Sequence, residues 1–502
     1  MRYLLLTILV TAQLPPTAAL RARDTTHTSI DYRLTAEAAA GSGSHTAFLL
    51  TANRHHALAT RPNTASLRAA LSISHRLSRL WKLEAIADVM AGLHADHQAY
   101  LQQCYARLSW RDAFHLEAGS RETDHPLRHP QLSTGAFTNG TNAKPIPQIR
   151  LGTNGFWTVP YTRGWLQIDF DFGYGKYMDS GYREDVFREF SANRKYAKGI
   201  LYHQKHLYFR TNPEKHFFLT AGIDHAVQFG GTGYEYTESN TLVEKKKREN
   251  LRAFWEVILP LGDSQYFDND AMEDWVFGNH IGSMTIQLGW NINDLHQLQA
   301  YADNPFEDGS GMRKGNGWDG LYGLQYTNKT KGPQLLRGAV IEYLQTTNQS
   351  GPLHWDRGDY PEPIRSQITD LVTGNDEYYN HGFYDSYAHY GMTPGNPLIT
   401  SPIYNEDGSS GFRDNRVKAW SAAVNGEISS RWAYLVKTVY REGWGTYYSP
   451  IYPKHHSLDA LLETVYRHGP WLLSATYAFD RGNTVGNCSS FHLKIGYHGR
   501  IL

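Results

Sequence analysis

Six aromatic side chains crowd into the thirteen residues from Tyr378 to Tyr390: Tyr378, Tyr379, Phe383, Tyr384, Tyr387 and Tyr390. Asn380, His381, Asp385 and His389 are interleaved with them. A tyrosine ring offers an apolar face and a polar tip, and sugars offer C–H faces and hydroxyl edges, so the two suit each other. The plainer alternative is that these rings form the core of their own loop or fill an interior. A second candidate stretch, Asp303–Asp319, carries acids and glycines that suggest a Ca²⁺ loop, but their positions do not fit the EF-hand ligand pattern, and no metal is assigned. In that stretch Arg313 and Trp318 could contact a sugar or brace the loop, with Asp308 beside them.

Acid–base chemistry is the other possibility to weigh. Lys205 and His206 lie in one run and Asp224 and His225 in a neighbouring one, yet no nucleophile sits in a recognisable motif. Carboxylate pairs for glycoside cleavage cannot be read from spacing across loops. No catalytic residue is assigned, and the expectation is a protein that is not an enzyme and needs no cofactor. The expected ligand-binding set is Tyr378, Tyr379, His381, Phe383, Tyr384, Tyr387 and Tyr390, with Asp308, Arg313 and Trp318 nearby.

The elements that must position these residues show themselves through the rhythm of their connections. Seventy residues, Thr347 to Arg416, separate the run Leu335–Thr346 from Val417–Ile428, whereas only Ser429, Ser430 and Arg431 lead on into Trp432–Glu442. Arg111–Ala113 against Arg121–Pro147, and Asn291–Asp294 against Phe229–Gly282, repeat the contrast. Short turns on one side and long loops on the other are the mark of an outer-membrane barrel. The runs alternate accordingly. Trp81, Leu83, Ala85, Ala87, Val89 and Ala91 share one face against Lys82, Glu84 and Asp88. Leu166, Ile168, Phe170, Phe172 and Tyr174 oppose Gln167, Asp169 and Asp171, and Trp471, Leu473, Ala475, Tyr477 and Phe479 oppose Ser474, Thr476 and Asp480.

Eighteen such runs are placed near 31–40, 67–75, 80–91, 99–110, 114–120, 148–159, 165–177, 200–210, 216–228, 283–290, 295–303, 319–327, 335–346, 417–428, 432–442, 456–466, 471–480 and 491–502. The runs 200–210 and 456–466 alternate poorly, and 283–290 is short. The expected fold is all-β, a closed antiparallel transmembrane β-barrel of about 18 strands, with long extracellular loops containing short helices, one of them at Pro361–Thr373. A soluble all-β protein would have no reason to sort its loops by parity.

Targeting and charge agree. Arg2, the apolar Leu4–Leu14 and the small residues Thr17–Ala19 read as a signal peptide over 1–19, leaving 20–502 as a single outer-membrane domain. No later window approaches the ~20 apolar residues of a helical span, so a membrane form must be a barrel. Lys+Arg and Asp+Glu are both 49, which gives no field to attract nucleic acid. The two cysteines, Cys104 and Cys488, are expected to be unpaired.

Several separated segments also carry a family resemblance. They are TAEAAAGSGSHTAFLLTANR (Thr35–Arg54), HQAY (His97–Tyr100), LSTGAFTNGTNAKPIPQIRLG (Leu132–Gly152), HQKHLYFR (His203–Arg210), GIDHAVQFGG (Gly222–Gly231), NPFEDGSGMR (Asn304–Arg313) and the Tyr378–Leu398 run. Together they resemble the Wzi-like capsule assembly family, in the form found in Bacteroidetes. The resemblance implies an eighteen-stranded barrel in the outer membrane of a Gram-negative bacterium, loops at the cell surface, with a lectin-like role in binding capsular polysaccharide. It implies no catalysis and no cofactor. Its partners would be surface polysaccharide and outer-membrane lipid, with the protein a monomer. The family's better-described proteobacterial members carry N-terminal helices that occlude the barrel, and here the first strand starts near Asp31. A plug would then come from elsewhere, with Glu244–Ala253 and Asp268–Asn279 as candidates. An oligosaccharide porin is the alternative.

Overall fold

Alternating apolar residues can be buried on one face of a strand and exposed on the other, and a sheet built of such strands must close if it is to leave no unpaired edge. The computed structural model, which describes residues 27–96, 98–259, 277–350 and 376–502, is closed in this way. Its strands are β1 (Thr28–Ser42), β2 (Thr64–Arg76), β3 (Trp81–Leu93), β4 (Ala99–Trp110), β5 (Phe114–Ser120) and β6 (Gln148–Thr153). They continue as β7 (Leu166–Lys176), β8 (Leu201–Thr211), β9 (Phe217–Phe229), β10 (Asn279–Asn291), β11 (His296–Phe306) and β12 (Gly320–Asn328). The last six are β13 (Gly338–Gln345), β14 (Val417–Glu427), β15 (Trp432–Gly445), β16 (Pro450–His468), β17 (Trp471–Gly482) and β18 (Cys488–Arg500). Each pairs antiparallel with the next, and β1 pairs with β18 from Asp31↔Arg500 to Ser42↔Ser489. The result is a closed, eighteen-stranded antiparallel barrel.

The faces fall as their residue types require. Leu83, Val89, Leu473, Phe491, Leu493 and Ile495 point outward and are exposed, while Asp88, Asp169, Asp171, Ser474, Asp480 and His492 point inward and are buried. Aromatic residues gather in register at the short-turn end, where Trp81↔Trp110, Trp110↔Phe114, Phe217↔Trp290, Trp432↔Tyr466 and Trp471↔Tyr497 face one another across strands. A second row, Tyr322↔Tyr343↔Trp420↔Tyr440, crosses four strands near the long-loop end. Two aromatic belts flanking an apolar band are what a bilayer selects.

All eighteen expected runs are strands, with informative differences. The run expected at 148–159 is interrupted after Thr153 and resumes as Trp157–Thr158, because Asn154 and Gly155 turn there, with Gly155 at φ +81°. The two runs that alternate poorly are strands with apolar or buried side chains on both faces over part of their length. In β16 the inward Leu461 is buried against the lumenal contents, so Leu461 and Leu462 are apolar on opposite sides. In β8 the outward His203 is fully buried beneath a loop segment. Alternation weakens where the lumenal face packs on apolar contents, as at Leu461, or where a loop covers the outward face, as at His203.

The core sits inside the barrel. The loop 43–63, with the short helix α1 (Phe48–Thr51), the loop 121–147 and residues 376–416 bury Phe48, Leu50, Phe137, Tyr379, Tyr387 and Ile399 there. Three further helices, α2 (Ser180–Glu189), α3 (Leu251–Glu256) and α4 (Gly309–Met312), belong to long-side loops. Both plug candidates from the sequence need correction or lie out of view. Glu244–Lys246 is the end of a small hairpin strand, and Ala253 in α3 packs on Val227 and Phe229, which face outward from the barrel wall. Of Asp268–Asn279, 268–276 lie outside the described residues, as do the expected helix Pro361–Thr373 and the signal segment 1–19. Cys104 and Cys488 are both free.

The register makes a stability prediction. Leu462 and Leu493 each lie four residues from a belt aromatic, Tyr466 and Tyr497, on the side of the apolar band. Leu462→Arg or Leu493→Arg should cost about 2–4 kcal/mol, the figure for a cation near mid-bilayer. Leu473 pairs with Tyr466 and Phe170 lies 6.3 Å from the belt ring Phe114, so Arg there should cost less. Gln167→Glu, facing inward toward Arg210, should cost under about 1 kcal/mol. Urea unfolding in vesicles measures all of these, and equal costs on both faces would contradict the register.

Candidate functional site

The lumen is where charge collects, because every inward position is withdrawn from lipid. Loop 121–147 descends through it and answers those charges strand by strand. His125 Nε2 lies 2.7 Å from Asp224 of β9, and Asn139 donates to the same carboxylate at 3.1 Å. Arg128 forms an ion pair with Asp303 of β11 at 3.0 Å, both groups buried, and its guanidinium lies 4.4 Å from the Tyr301 ring centroid. Ser133 Oγ and the Thr134 amide both donate to Glu342 of β13 at 2.6 Å, and Lys437 of β15 donates to the Ser133 carbonyl at 2.6 Å. Leu132 packs on Val340 and Ala423, and Asn425 donates to Gln131 at 3.3 Å near the short-turn ends of β13 and β14. The loop therefore reaches most of the way through the barrel. A cavity of about 80 Å³ remains beside it, lined by His55, Arg121, His125, Lys144, Arg150 and His206 among others.

The sequence motif Asp224-His225 is split by strand geometry. Asp224 faces the lumen and is held by His125, whereas His225 faces outward, so the pair shares no site.

The aromatic run lies on top of this plug and is tied into it. Tyr379 donates to the Phe137 carbonyl at 2.6 Å and accepts from the Asn396 amide at 2.9 Å. Tyr387 donates to the Thr138 carbonyl at 2.9 Å, and Tyr384 to the Gly230 carbonyl at 3.2 Å. Tyr378 donates to Asp319 at 3.3 Å, and the Phe383 ring seats against Gly233, where an added Cβ would come within 2.8 Å of it. His381 Nδ1 accepts from the Phe383 amide at 2.9 Å, and burial holds that imidazole down to about 3, hence neutral. Tyr378, Tyr379, Phe383, Tyr384 and Tyr387 are thus buried as packing residues of the loop layer. Tyr390 is half-buried, its hydroxyl on the Met178 carbonyl at 2.9 Å, and Lys144 Nζ sits between its ring (4.6 Å) and that of Tyr100 (3.3 Å). The alternative reading of these rings, as loop core, describes how they sit.

Asp308, Arg313 and Trp318 occupy a different part of the layer. Trp318 is 79% exposed and Arg313 is exposed, at the edge of α4. Beneath them Asp319 accepts from the amides of Asn348 (3.0 Å) and Gln349 (2.8 Å), which fixes the start of the long loop. The Tyr447 hydroxyl donates to the Asn348 carbonyl at 2.7 Å, and the Arg416 guanidinium lies 4.2 Å from the Tyr447 ring. These contacts bring the loop of Trp318 against half-buried Tyr447 and Arg416; Trp318, Tyr448 and Arg313 are exposed on the same side of the barrel. Sequence reading missed Tyr447, Tyr448 and Arg416. The signal was there in the adjacent tyrosines of the short loop after Trp444, opposite the long loop's end.

Solved structures place this geometry. No family model matches the chain, and no curated protein does. Wzi of Escherichia coli, an outer-membrane protein involved in group 1 capsule assembly and a carbohydrate-binding β-barrel, aligns over 92% of this chain and 83% of its own at 11% identity, TM-score 0.53. OccK5 (OpdH) and OprD of Pseudomonas aeruginosa each align over 95% of this chain, and over 98% and 96% of their own, at 10% identity and TM-score 0.45. The fold is that of an outer-membrane β-barrel. In such a barrel the belts and the apolar band face lipid, and the lumenal charges are the interior that the long-side loops fill.

Two predictions follow from the locked loops. Arg128→Ala leaves Asp303 buried without its cation, which typically costs about 3–5 kcal/mol. Hydrogen exchange in 121–147 should rise sharply while the strand ladder stays protected; unchanged protection would show that the pair does not hold the loop. The second concerns pH. Burial pushes Asp319 up to about 6, and raises Asp376 and Glu307 as well, Asp376 also through Asp308 and Glu307 through Asp376. Carboxyls raised on folding add stability that is full below their unfolded pKa near 4 and is lost as pH climbs through the folded value. The opening free energy of 376–390, from exchange corrected for intrinsic rate, should be larger at pH 5 than at pH 8. Equal values would contradict the shift.

Proposed function

We propose that this barrel binds capsular or another surface polysaccharide at its long-loop end, that this end faces the cell exterior, and that it helps attach or assemble the capsule. The observation that carries the reading is the presence of exposed rings, Trp318 and Tyr448, and the cations Arg313 and Arg416 at the long-loop end, on a layer locked from below, with Arg416 against the Tyr447 ring. Rings stack on sugar faces and guanidinium groups pair with carboxylates or hydroxyls, so the patch suits an acidic polymer. Each contact is weak, and a repeating polymer engaging many barrels multiplies them. No bond is made or broken in this scheme, and the protein acts as a monomer.

Of the residues first considered, Asp308, Arg313 and Trp318 keep accessible surface and belong to the proposed site, whereas half-buried Tyr390 lies elsewhere in the layer, over Lys144. Tyr378, Tyr379, His381, Phe383, Tyr384 and Tyr387 serve it by holding the layer in shape. An oligosaccharide channel is the second reading, favoured by the charged lining of the lumenal cavity. It requires 121–147 to leave its ion pairs in bulk.

The test is binding of purified surface polysaccharide from the source cell by Trp318→Ala/Tyr448→Ala protein. Lost aromatic contacts at a binding centre cost on the order of 1–3 kcal/mol each, so affinity should fall at least about tenfold with heat-modifiable gel mobility unchanged. Full retention of binding by the double variant would remove the patch from the site.

A further inference from the structure

The outer wall of the barrel is not apolar throughout. On β8, β9 and β10 the outward positions nearest the short turns are exposed apolar residues, Leu207, Phe209, Ile286 and Leu288. Two to six residues further up, the same faces carry His203, Lys205, His225 and His280, and the three histidines are almost fully buried. Lys205 Nζ lies 2.7 Å from His225 Nδ1, and His225 Nε2 lies 2.9 Å from His280 Nδ1. Polar groups on that face would meet hydrocarbon or headgroups if nothing covered them.

What covers them is α3 and the residues around it. Asn250 caps the helix by accepting from the Ala253 amide at 3.1 Å. Ala253 and Val257 pack on Val227 and Phe229, joined by Tyr174, Leu201, Phe254 and Phe277. Tyr174 donates to the Phe254 carbonyl at 2.5 Å, Lys205 donates to the Ile258 carbonyl, and His280 Nε2 lies 3.0 Å from the Phe277 carbonyl. The helix is therefore clasped to the outside of the wall, directly above lipid-facing positions.

Its far side is not built for water. Leu251, Trp255 and Leu259, spaced by four, are 83%, 73% and 53% exposed, on the side away from Ala253 and Val257. Lys245 and Lys246 are exposed just before the helix, and Lys247, Arg248 and Arg252 continue the basic run, so 244–256 holds five cations against three carboxylates. An indole and leucines beside cations is the composition of a helix lying in a bilayer interface.

We infer that α3 and the basic run before it dock into the leaflet on the long-loop side, the outer one on the orientation proposed above. Leu251, Trp255 and Leu259 enter the acyl boundary and the exposed Lys245 and Lys246 pair with anionic lipid phosphates, while Arg252 is held by Glu256. Two features select this occupant. The stripe continues the lipid-facing wall on which α3 sits, and its cations complement a phosphate-bearing headgroup layer. The clasp then extends the barrel's lipid contact beyond the cylinder.

The experiment uses the full-length protein with Cys104→Ser and Cys488→Ser and a nitroxide on Trp255→Cys, reconstituted in phosphatidylcholine bilayers with and without lipid A. Oxygen should relax the label far more than a water-soluble nickel chelate does. Lys245→Glu/Lys246→Glu should cut capture of fluorescent lipid A at least about fivefold relative to the unaltered chain. Leu251→Cys serves as a second label site should Trp255→Cys fail to fold, as judged by heat-modifiable mobility. A nickel-accessible label in both bilayers overturns the proposal. So does a label shielded only when polysaccharide is added, which would make the stripe part of a glycan surface, and so does lipid-A capture indifferent to the charge reversal.

Discussion

The whole molecule depends on closing one hydrogen-bonded ladder, the pairing of the first strand with the last. A strand edge in hydrocarbon leaves amides and carbonyls without partners, each costing several kcal/mol, so a sheet of seventeen pairings with two free edges is not a viable membrane structure. The β1–β18 ladder removes both edges, and the Arg500–Asp31 ion pair at 2.8 Å lies at its short-turn end. Closure in turn creates the inside. Half of every strand's side chains are forced into a lumen, where carboxylates and guanidinium groups must be paired or hydrated, and the long loops supply the pairs.

This division of labour explains where sequence reading succeeded. A period of two with aromatics at strand ends is a local pattern, imposed on each strand by lipid on one side, so Trp81–Ala91 and Trp471–Asp480 announce themselves without knowledge of their neighbours. Loop parity is equally local, since a turn on the short side needs only to reverse the chain. The strands that were hard to see, β8 and β16, are those in which tertiary packing locally replaces the lipid or water that writes the alternation, over outward His203 in β8 and against inward Leu461 in β16.

The site was less legible for the same physical reason. A loop tyrosine such as Tyr387 has one composition whether it stacks on a sugar or donates to the Thr138 carbonyl in a sealed interior. Only the descent of 121–147, with Arg128 on Asp303 and Ser133 on Glu342, turns the aromatic run into the roof of a plug. Nothing in the spacing of 121–147 specifies its partners, because they come from strands far apart in the chain. The outward patch around Trp318 was half visible. Trp318 and Arg313 stood out as residue types, while Tyr447 and Arg416 come close to the loop of Trp318 only through contacts that run across the long loop's two ends.

On the proposed reading, a plug bound by charge at several depths makes the barrel a platform rather than a pore, with its binding residues in the layer of long loops. The most direct measurement of that claim is conductance of the intact, full-length protein in a planar bilayer. The account predicts no stable open channel, with current no greater than that of the lipid alone. A large, steady conductance from the unaltered chain would contradict it, since ions could pass only if 121–147 does not seal the lumen.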